Sequence, residues 1–337
     1  MDMGKIRGGE IRLKRWPKGL PTHADFEIVE AEIREPGDGE LLVRNLFMSV
    51  DPYMRGRMRP GKSYVAPFEL GKALDGGAVG IVVESGNPAF PEGTHVLSEM
   101  GFREYFVSDG SALEQIDPGP HPPSAYLGVL GMPGRTAYAG LTQIGKPEPG
   151  ETVYVSAAAG AVGSAACQIA KIRGCRVVGS AGSREKVRWL LEKAGVDDAF
   201  NYREYRNIAR ELRRQCRDGI DVYFDTVGGD HLEAAIANMN DFGRIVSCGM
   251  ISRYNDTEAV PGPSNLALFV TRRLRMQGFI VSDYPQLNEP FQRDMKAWLS
   301  EGSMVYEQTV VRGIENGIDA LIGLFSGKNL GKMIVRL

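Results

Sequence analysis

The sequence predicts an α/β fold in two parts, a β-rich, barrel-like first domain followed by a doubly wound parallel sheet. Three observations predict it. Up to about residue 120, short period-two runs bounded by Gly and Pro follow one another with little helical pattern. From residue 152 onward strand and helix patterns rotate strictly. At the first strand-to-helix junction lies the turn AAAGAVG, residues 157–163.

The first domain's strand-like runs are GELLVRNLFMSV, GGAVGIVVESG, GTHVLSE and REYFVSD. Residues 121–151 change to helical segments broken by Gly and Pro. TVYVSAA is then a buried strand, AVGSAACQIAKIRG a helix ending at Gly174, CRVVGSAG a strand, SREKVRWLLEKAG a helix and DDAFNY a short strand. RNIARELRRQCRDG precedes the strand IDVYFDTVGG, the helix DHLEAAIANM and the strand GRIVSCGM. The tail from residue 302 returns to strand, helix, loop and strand, and is expected to rejoin the first domain. The expected division is residues 1–125 with 302–337, and residues 126–301.

A length of 337 residues suits two domains. The formal net charge of -2 implies no nucleic-acid partner, and the cations of RNIARELRRQC, interleaved with Glu211, read as a solvated helix face. Forty-two glycines fall singly, as many tight turns require. Cys167, Cys175, Cys216 and Cys248 show no CxxC spacing and are too few for a disulfide framework. The start MDMGKIRGGEIRLKRWPKG is charged and lacks the apolar middle of a signal peptide, so a cytoplasmic location is expected. The uncharged run at residues 153–170 is mostly Ala, Gly and Ser around a turn, too weakly apolar to hold in lipid.

In a dinucleotide-binding turn the first glycine makes the bend, the second admits the pyrophosphate and the third lets helix and strand pack. Ala158, Gly160 and Gly163 occupy those places, and Ala158 is expected to make the bend with negative φ. The amides of Ala161 and Val162, opening the helix, would meet phosphate. An acid at the end of the second strand would hold the ribose 2'-hydroxyl of NAD. GSAGSREK offers none; Ser183 is followed by Arg184 and Lys186, cations that suit a 2'-phosphate, so NADPH/NADP+ is favoured.

The segments VDPYMRGRM, SYVAPFELGK, GMPGRTAYAGL, AAAGAVG, VGSAGSREK, DTVGG, ISRYN and GKNLGK run in order from about residue 45 to residue 332. In these the chain resembles the zinc-independent medium-chain reductases related to leukotriene B4 12-hydroxydehydrogenase/prostaglandin reductase, with plant double-bond reductases and bacterial curcumin reductases in the group. The resemblance implies a GroES-like first domain, a Rossmann second domain, a homodimer, and NADPH-dependent reduction of the C=C bond of enals and enones. It further implies that Lys186 and Tyr202 hold the 2'-phosphate, that Asn329 reaches the cofactor from the tail, and that Val227 contributes from DTVGG. Met132, Thr136, Cys248, Ile251, Phe279 and Val281 would line the nicotinamide end. Tyr53 and Tyr64 would meet substrate, and Tyr254 both substrate and cofactor. Thr226 is a departure, standing where relatives often carry an amide.

The first domain has no cysteine, and His23, His95 and His121 form no spaced pair, so no metal site is expected. Without a Lewis acid an isolated carbonyl is a poor hydride acceptor, whereas a conjugated enone passes charge to its oxygen as an enolate. Hydrogen-bond donors must meet that oxygen. Tyr254 is the expected main donor and Tyr53 the expected orienting group, since a phenol stays protonated at neutral pH. Two other readings share the motifs: an NADPH quinone reductase, and an NADPH-binding protein without catalysis.

Overall fold

The computed structural model describes residues 6–337. Two compact units divide the chain. One runs to Leu127 and takes in Gln308–Asn329 and Met333–Leu337; the other comprises Gly128–Glu307 and Leu330–Lys332.

The first unit opens with β1 (Arg7–Leu13) and β2 (Phe26–Glu32), an antiparallel pair that buries Ile11, Leu13 and Phe26 beneath charged outer residues. β3 (Leu41–Ser49), the short helix α1 (Met54–Arg57), β4 (Ala78–Ser85), β5 (His95–Ser98), β6 (Tyr105–Ser108) and β7 (Glu114–Gln115) follow. β3 is the hub, pairing antiparallel with both β4 and β6. Its pairing with β4 slips between Asn45 and Phe47, and Gly80 opposite admits the bulge: a Cβ there would lie 2.5 Å from Val43 Cγ1 and 2.9 Å from the Arg44 carbonyl.

The second unit carries the predicted rotation. In chain order it contains α2 (Met132–Ala139), β8 (Thr152–Val155), α3 (Ala161–Ile172), β9 (Arg176–Ala181), α4 (Arg184–Glu192), β10 (Asp198–Asn201) and α5 (Ile208–Gln215). There follow β11 (Ile220–Asp225), α6 (Gly229–Asn238), β12 (Met239–Ser247), α7 (Leu268–Thr271), β13 (Arg275–Gly278) and α8 (Asn288–Ser300). The strands lie in the order β10-β9-β8-β11-β12-β13, every neighbour parallel. Chain order reverses between β8 and β11, the point where open parallel sheets bind ligands at their carboxyl ends. All four residues of β8 are buried, as a strand covered on both faces requires. Helix α6 stops one residue earlier than its pattern predicts, because Met239 already pairs with Ile220 as strand.

The tail forms β14 (Gln308–Arg312), α9 (Gly317–Phe325) and β15 (Lys332–Arg336). β15 pairs antiparallel with β3, and Ile318, Leu321 and Val335 join Ile11, Met48 and Phe102 in one apolar cluster of the first unit. Among the described residues no helix is long and apolar enough to cross a membrane.

Under the second unit's sheet, Tyr154 stacks on Tyr223 at 4.9 Å, and its hydroxyl meets His231 Nδ1 at 2.8 Å. His231 Nε2 is buried with no hydrogen-bond partner among the described residues, and burial pushes the imidazole pKa from 6.5 down to about 4. Below pH 6.5 the unfolded chain therefore takes up a proton that the folded chain refuses until about pH 4. Stability fully present above pH 6.5 should be lost as pH falls through that window, by about 3 kcal/mol at most. Unfolding midpoints measured across the window should drop for the parent and less for His231→Gln; parallel curves would remove His231 as the cause.

Candidate functional site

The turn from β8 to α3 answers how the chain bends without a first glycine. The left-handed residue is Ala157, φ +46°, one position before the expected one. That backbone costs a residue bearing a Cβ roughly 1–2 kcal/mol. Ala158 cannot make the bend because it is fully buried with its N–H donating to the Ser180 carbonyl at 2.9 Å, closing the turn onto β9. Gly160 then leads into α3, and the Ser164 N–H is the first to bond back, to the Gly160 carbonyl at 2.9 Å. The amides of Ala161, Val162 and Gly163 precede that bond and so have no acceptor within the helix. Gly163 sits against backbone: a Cβ there would lie 2.4 Å from the Ala157 carbonyl oxygen. The tail borders the same turn, since the Gly331 N–H donates to the Ala159 carbonyl at 2.8 Å, with Asn329 two residues upstream.

At the end of β9 stand Gly182 and Ser183, and Ser183 Oγ accepts from the Lys186 amide to cap α4. Lys186 is half-buried, and its ammonium pKa is lowered by burial and then by the charge of Arg203. Tyr202, in the turn after β10, brings its hydroxyl over Gly182, within 3.2 Å of where a Cβ would be. The Arg184 side chain is 85% exposed and its Nε donates to Glu204 Oε1 at 2.7 Å. Glu204 lies twenty residues away in sequence, and only the β9–β10 pairing brings the two together.

Across the switch point, the buried Asp225 organises two loops. Its Oδ1 accepts from Tyr223 Oη at 2.7 Å and from the amides of Val227 and Gly228 at 2.9 and 2.8 Å; its carbonyl accepts from the amides of Cys248 and Gly249. Burial raises its carboxyl pKa against those donors. Thr226 turns inward, its hydroxyl donating to the Ser156 carbonyl at 2.9 Å, so it holds the loop to β8. Ile251 begins a short helical turn and its N–H donates to the Thr226 carbonyl at 3.2 Å.

That turn delivers Tyr254. Its hydroxyl accepts from the Met250 N–H at 3.3 Å and nests over Gly249, where a Cβ would lie 2.9 Å away. Burial raises its pKa above 10. Cys248 beside it is pushed up to about 12, burial first and the Asp225 charge second. Elsewhere in this unit, Thr136 donates its hydroxyl to the Met132 carbonyl at 2.8 Å within α2. Phe279 follows β13, its ring 6.3 Å from Tyr284, and Val281 opens the next turn.

In the first unit, Tyr53 stands at the start of α1, half-buried against the apolar cluster of Met54 and Met58. Its phenol pKa is raised, mainly by burial and then by Asp51 and Glu99. Tyr64 is 61% exposed. Among the described residues no three His, Cys, Asp or Glu side chains gather as a metal would require.

Comparison with known proteins matches residues 9–116 to a family described as the N-terminal domain of oxidoreductase, and residues 161–300 to one described as zinc-binding dehydrogenase. The chain is 44% identical over 336 residues to the 2-alkenal reductase (NADP(+)-dependent) of Nicotiana tabacum, covering 98% of each. It is 45% identical over 329 residues to prostaglandin reductase 1 of Bos taurus, covering 96% of this chain and 97% of the relative. The crystal structure of CurA in complex with NADPH from Vibrio vulnificus superposes with a TM-score of 0.93 at 41% identity, covering 97% of this chain and 98% of that one.

Proposed function

The chain belongs to the zinc-independent medium-chain reductases that include the prostaglandin and 2-alkenal reductases, and from that premise we propose that it reduces the C=C bond of α,β-unsaturated aldehydes and ketones with NADPH. The observation that carries the reading is Tyr254, a half-buried phenol held neutral on the loop after β12.

The residues present fit the cofactor. The amides of Ala161, Val162 and Gly163, at the positive end of α3, suit the pyrophosphate. Gly160 and Gly163 leave the space that side chains would fill. Lys186 and Tyr202 suit a 2'-phosphate, and Asn329, Val227, Ile251, Met132, Thr136, Phe279 and Val281 are assigned to the rest of the dinucleotide. When bound, NADPH supplies a hydride to the β-carbon of the enone.

Tyr254 donates a hydrogen bond to the carbonyl oxygen, where charge develops. It accepts from the Met250 amide and so still carries its own proton; its raised pKa keeps that proton in place at neutral pH. Tyr53 and Tyr64 orient the substrate. Cys248 matters by staying inert, because an enone alkylates a thiolate, and a thiol pushed up to about 12 offers almost none at neutral pH.

The test is oxidation of NADPH or NADH by chelator-treated protein, with an aliphatic enone and separately with a quinone, followed by mass analysis of the product. NADPH-dependent formation of the saturated ketone is expected. Turnover of the quinone alone would replace the proposal with a quinone reductase, and cofactor binding without turnover of either would leave a binding protein.

A further inference from the structure

The 2'-phosphate assignment to Lys186 and Tyr202 leaves Arg203 without a role. Its position gives it one. A Cβ placed on Gly182 would lie 3.2 Å from Tyr202 Oη and 3.3 Å from Arg203 Nε, so both side chains cover the same α-carbon. Gly182 directly follows the strand at whose end doubly wound sheets read the ribose 2' substituent. The Arg203 guanidinium lies 5.8 Å from the Tyr202 ring centroid, beside the phenol and not turned away from it.

Arg184, the neighbouring cation in sequence, has its charge answered by Glu204 at 2.7 Å. Arg203 acts on Lys186, whose ammonium is less readily protonated partly because that guanidinium is near. Two cations close enough for one to hinder protonation of the other repel, and an anion of about -2 charge bound by both reverses the sign of that term. A guanidinium fork also meets two phosphate oxygens at once, which an ammonium cannot do.

We propose that Arg203, in place of Arg184, is the second cation of the 2'-phosphate site and sets the preference for NADPH over NADH together with Lys186. This rests on the reading of Lys186 and Tyr202 given above. Residues 182 and 203 meet only because β9 and β10 pair in parallel, Ala181 opposite Asn201.

The test reads binding and needs no turnover. Calorimetry would compare adenosine 2',5'-bisphosphate with 5'-AMP on the purified chain and on Arg203→Gln, Arg203→Lys, Arg184→Gln and Lys186→Gln. Arg203→Gln should weaken the bisphosphate by about tenfold or more, the scale of one charge-assisted hydrogen bond, and leave 5'-AMP within about twofold. Arg203→Lys should recover part of the loss. If Lys186→Gln selectively weakens the bisphosphate and Arg203→Gln does not, or if Arg184→Gln does so instead, the assignment of Arg203 is overturned while the site stands. If neither Lys186→Gln nor Arg203→Gln distinguishes the two ligands, the 2'-phosphate site itself falls.

Discussion

Gly163→Ala is expected to remove measurable NADPH binding and to lower the unfolding midpoint, the largest loss from a single added methyl group at the turn. The new Cβ would lie 2.4 Å from the Ala157 carbonyl oxygen, 2.9 Å from Ala158 Cα and 3.0 Å from the Ala157 carbonyl carbon, all of them backbone. Nothing there can swing aside. Ala157 already holds the left-handed conformation, and the Ala158 amide is bonded to β9, so the turn cannot retreat. Relief must come from moving α3 off β8, at a cost of about 1–3 kcal/mol for overpacking. The helix's amides move with it, and misplacement of about 1 Å costs on the order of 10²-fold where geometry governs. Gly160→Ala separates the two effects. Its Cβ would approach only the Ala157 carbonyl, at 3.2 Å, and its φ of −83° suits any residue. That variant should melt near the parent yet bind NADPH more weakly, because the methyl group fills space needed by the pyrophosphate. Thermal unfolding and calorimetry on both variants decide the matter; Gly163→Ala with parental affinity would show that the turn does not hold the cofactor.

Much of this turn was legible in the sequence, and its error is instructive. Gly160 and Gly163 were recognisable because their roles need absent side chains, whereas the bend at Ala157 depends on which amide β9 captures. The rotation from β8 to β12 was equally legible, since buried parallel strands and amphipathic helices carry distinct periods. β13 was not: Arg275–Gly278 are exposed, and the segment becomes a strand through backbone pairing with β12, Arg244 opposite Arg275. The cations depend on tertiary pairing in the same way. Arg184 and Lys186 stand two positions apart on one helix and looked alike, yet Glu204 pairs with the first and the charge of Arg203 acts on the second from another strand's end. Local sequence carries the elements; charge partners are chosen by which strands lie side by side.

Tyr254→Phe should lower kcat for enones by about 10²-fold, the usual cost of losing one donor to a developing oxyanion, while NADPH affinity changes little. The substitution keeps the ring and deletes only the hydroxyl, the atom that lies over Gly249. The Met250 amide loses its acceptor, a stability cost of about 1 kcal/mol. Turnover and stability should therefore part company, with a large fall in one and a small fall in the other. The pH profile gives an independent reading. The donor form is the protonated phenol, and burial raises its pKa above 10, so the parent's kcat should stay level through neutral pH and fall only above about pH 10. Tyr254→Phe should show low activity without that alkaline limb. Tyr53→Phe serves as the contrast: a group that orients substrate without meeting the charge should raise KM more than it lowers kcat. Parental kcat in Tyr254→Phe, with the limb intact, would move the donor role to another group. Loss of the limb only in Tyr53→Phe would give the role to Tyr53, whose phenol is also held neutral by burial.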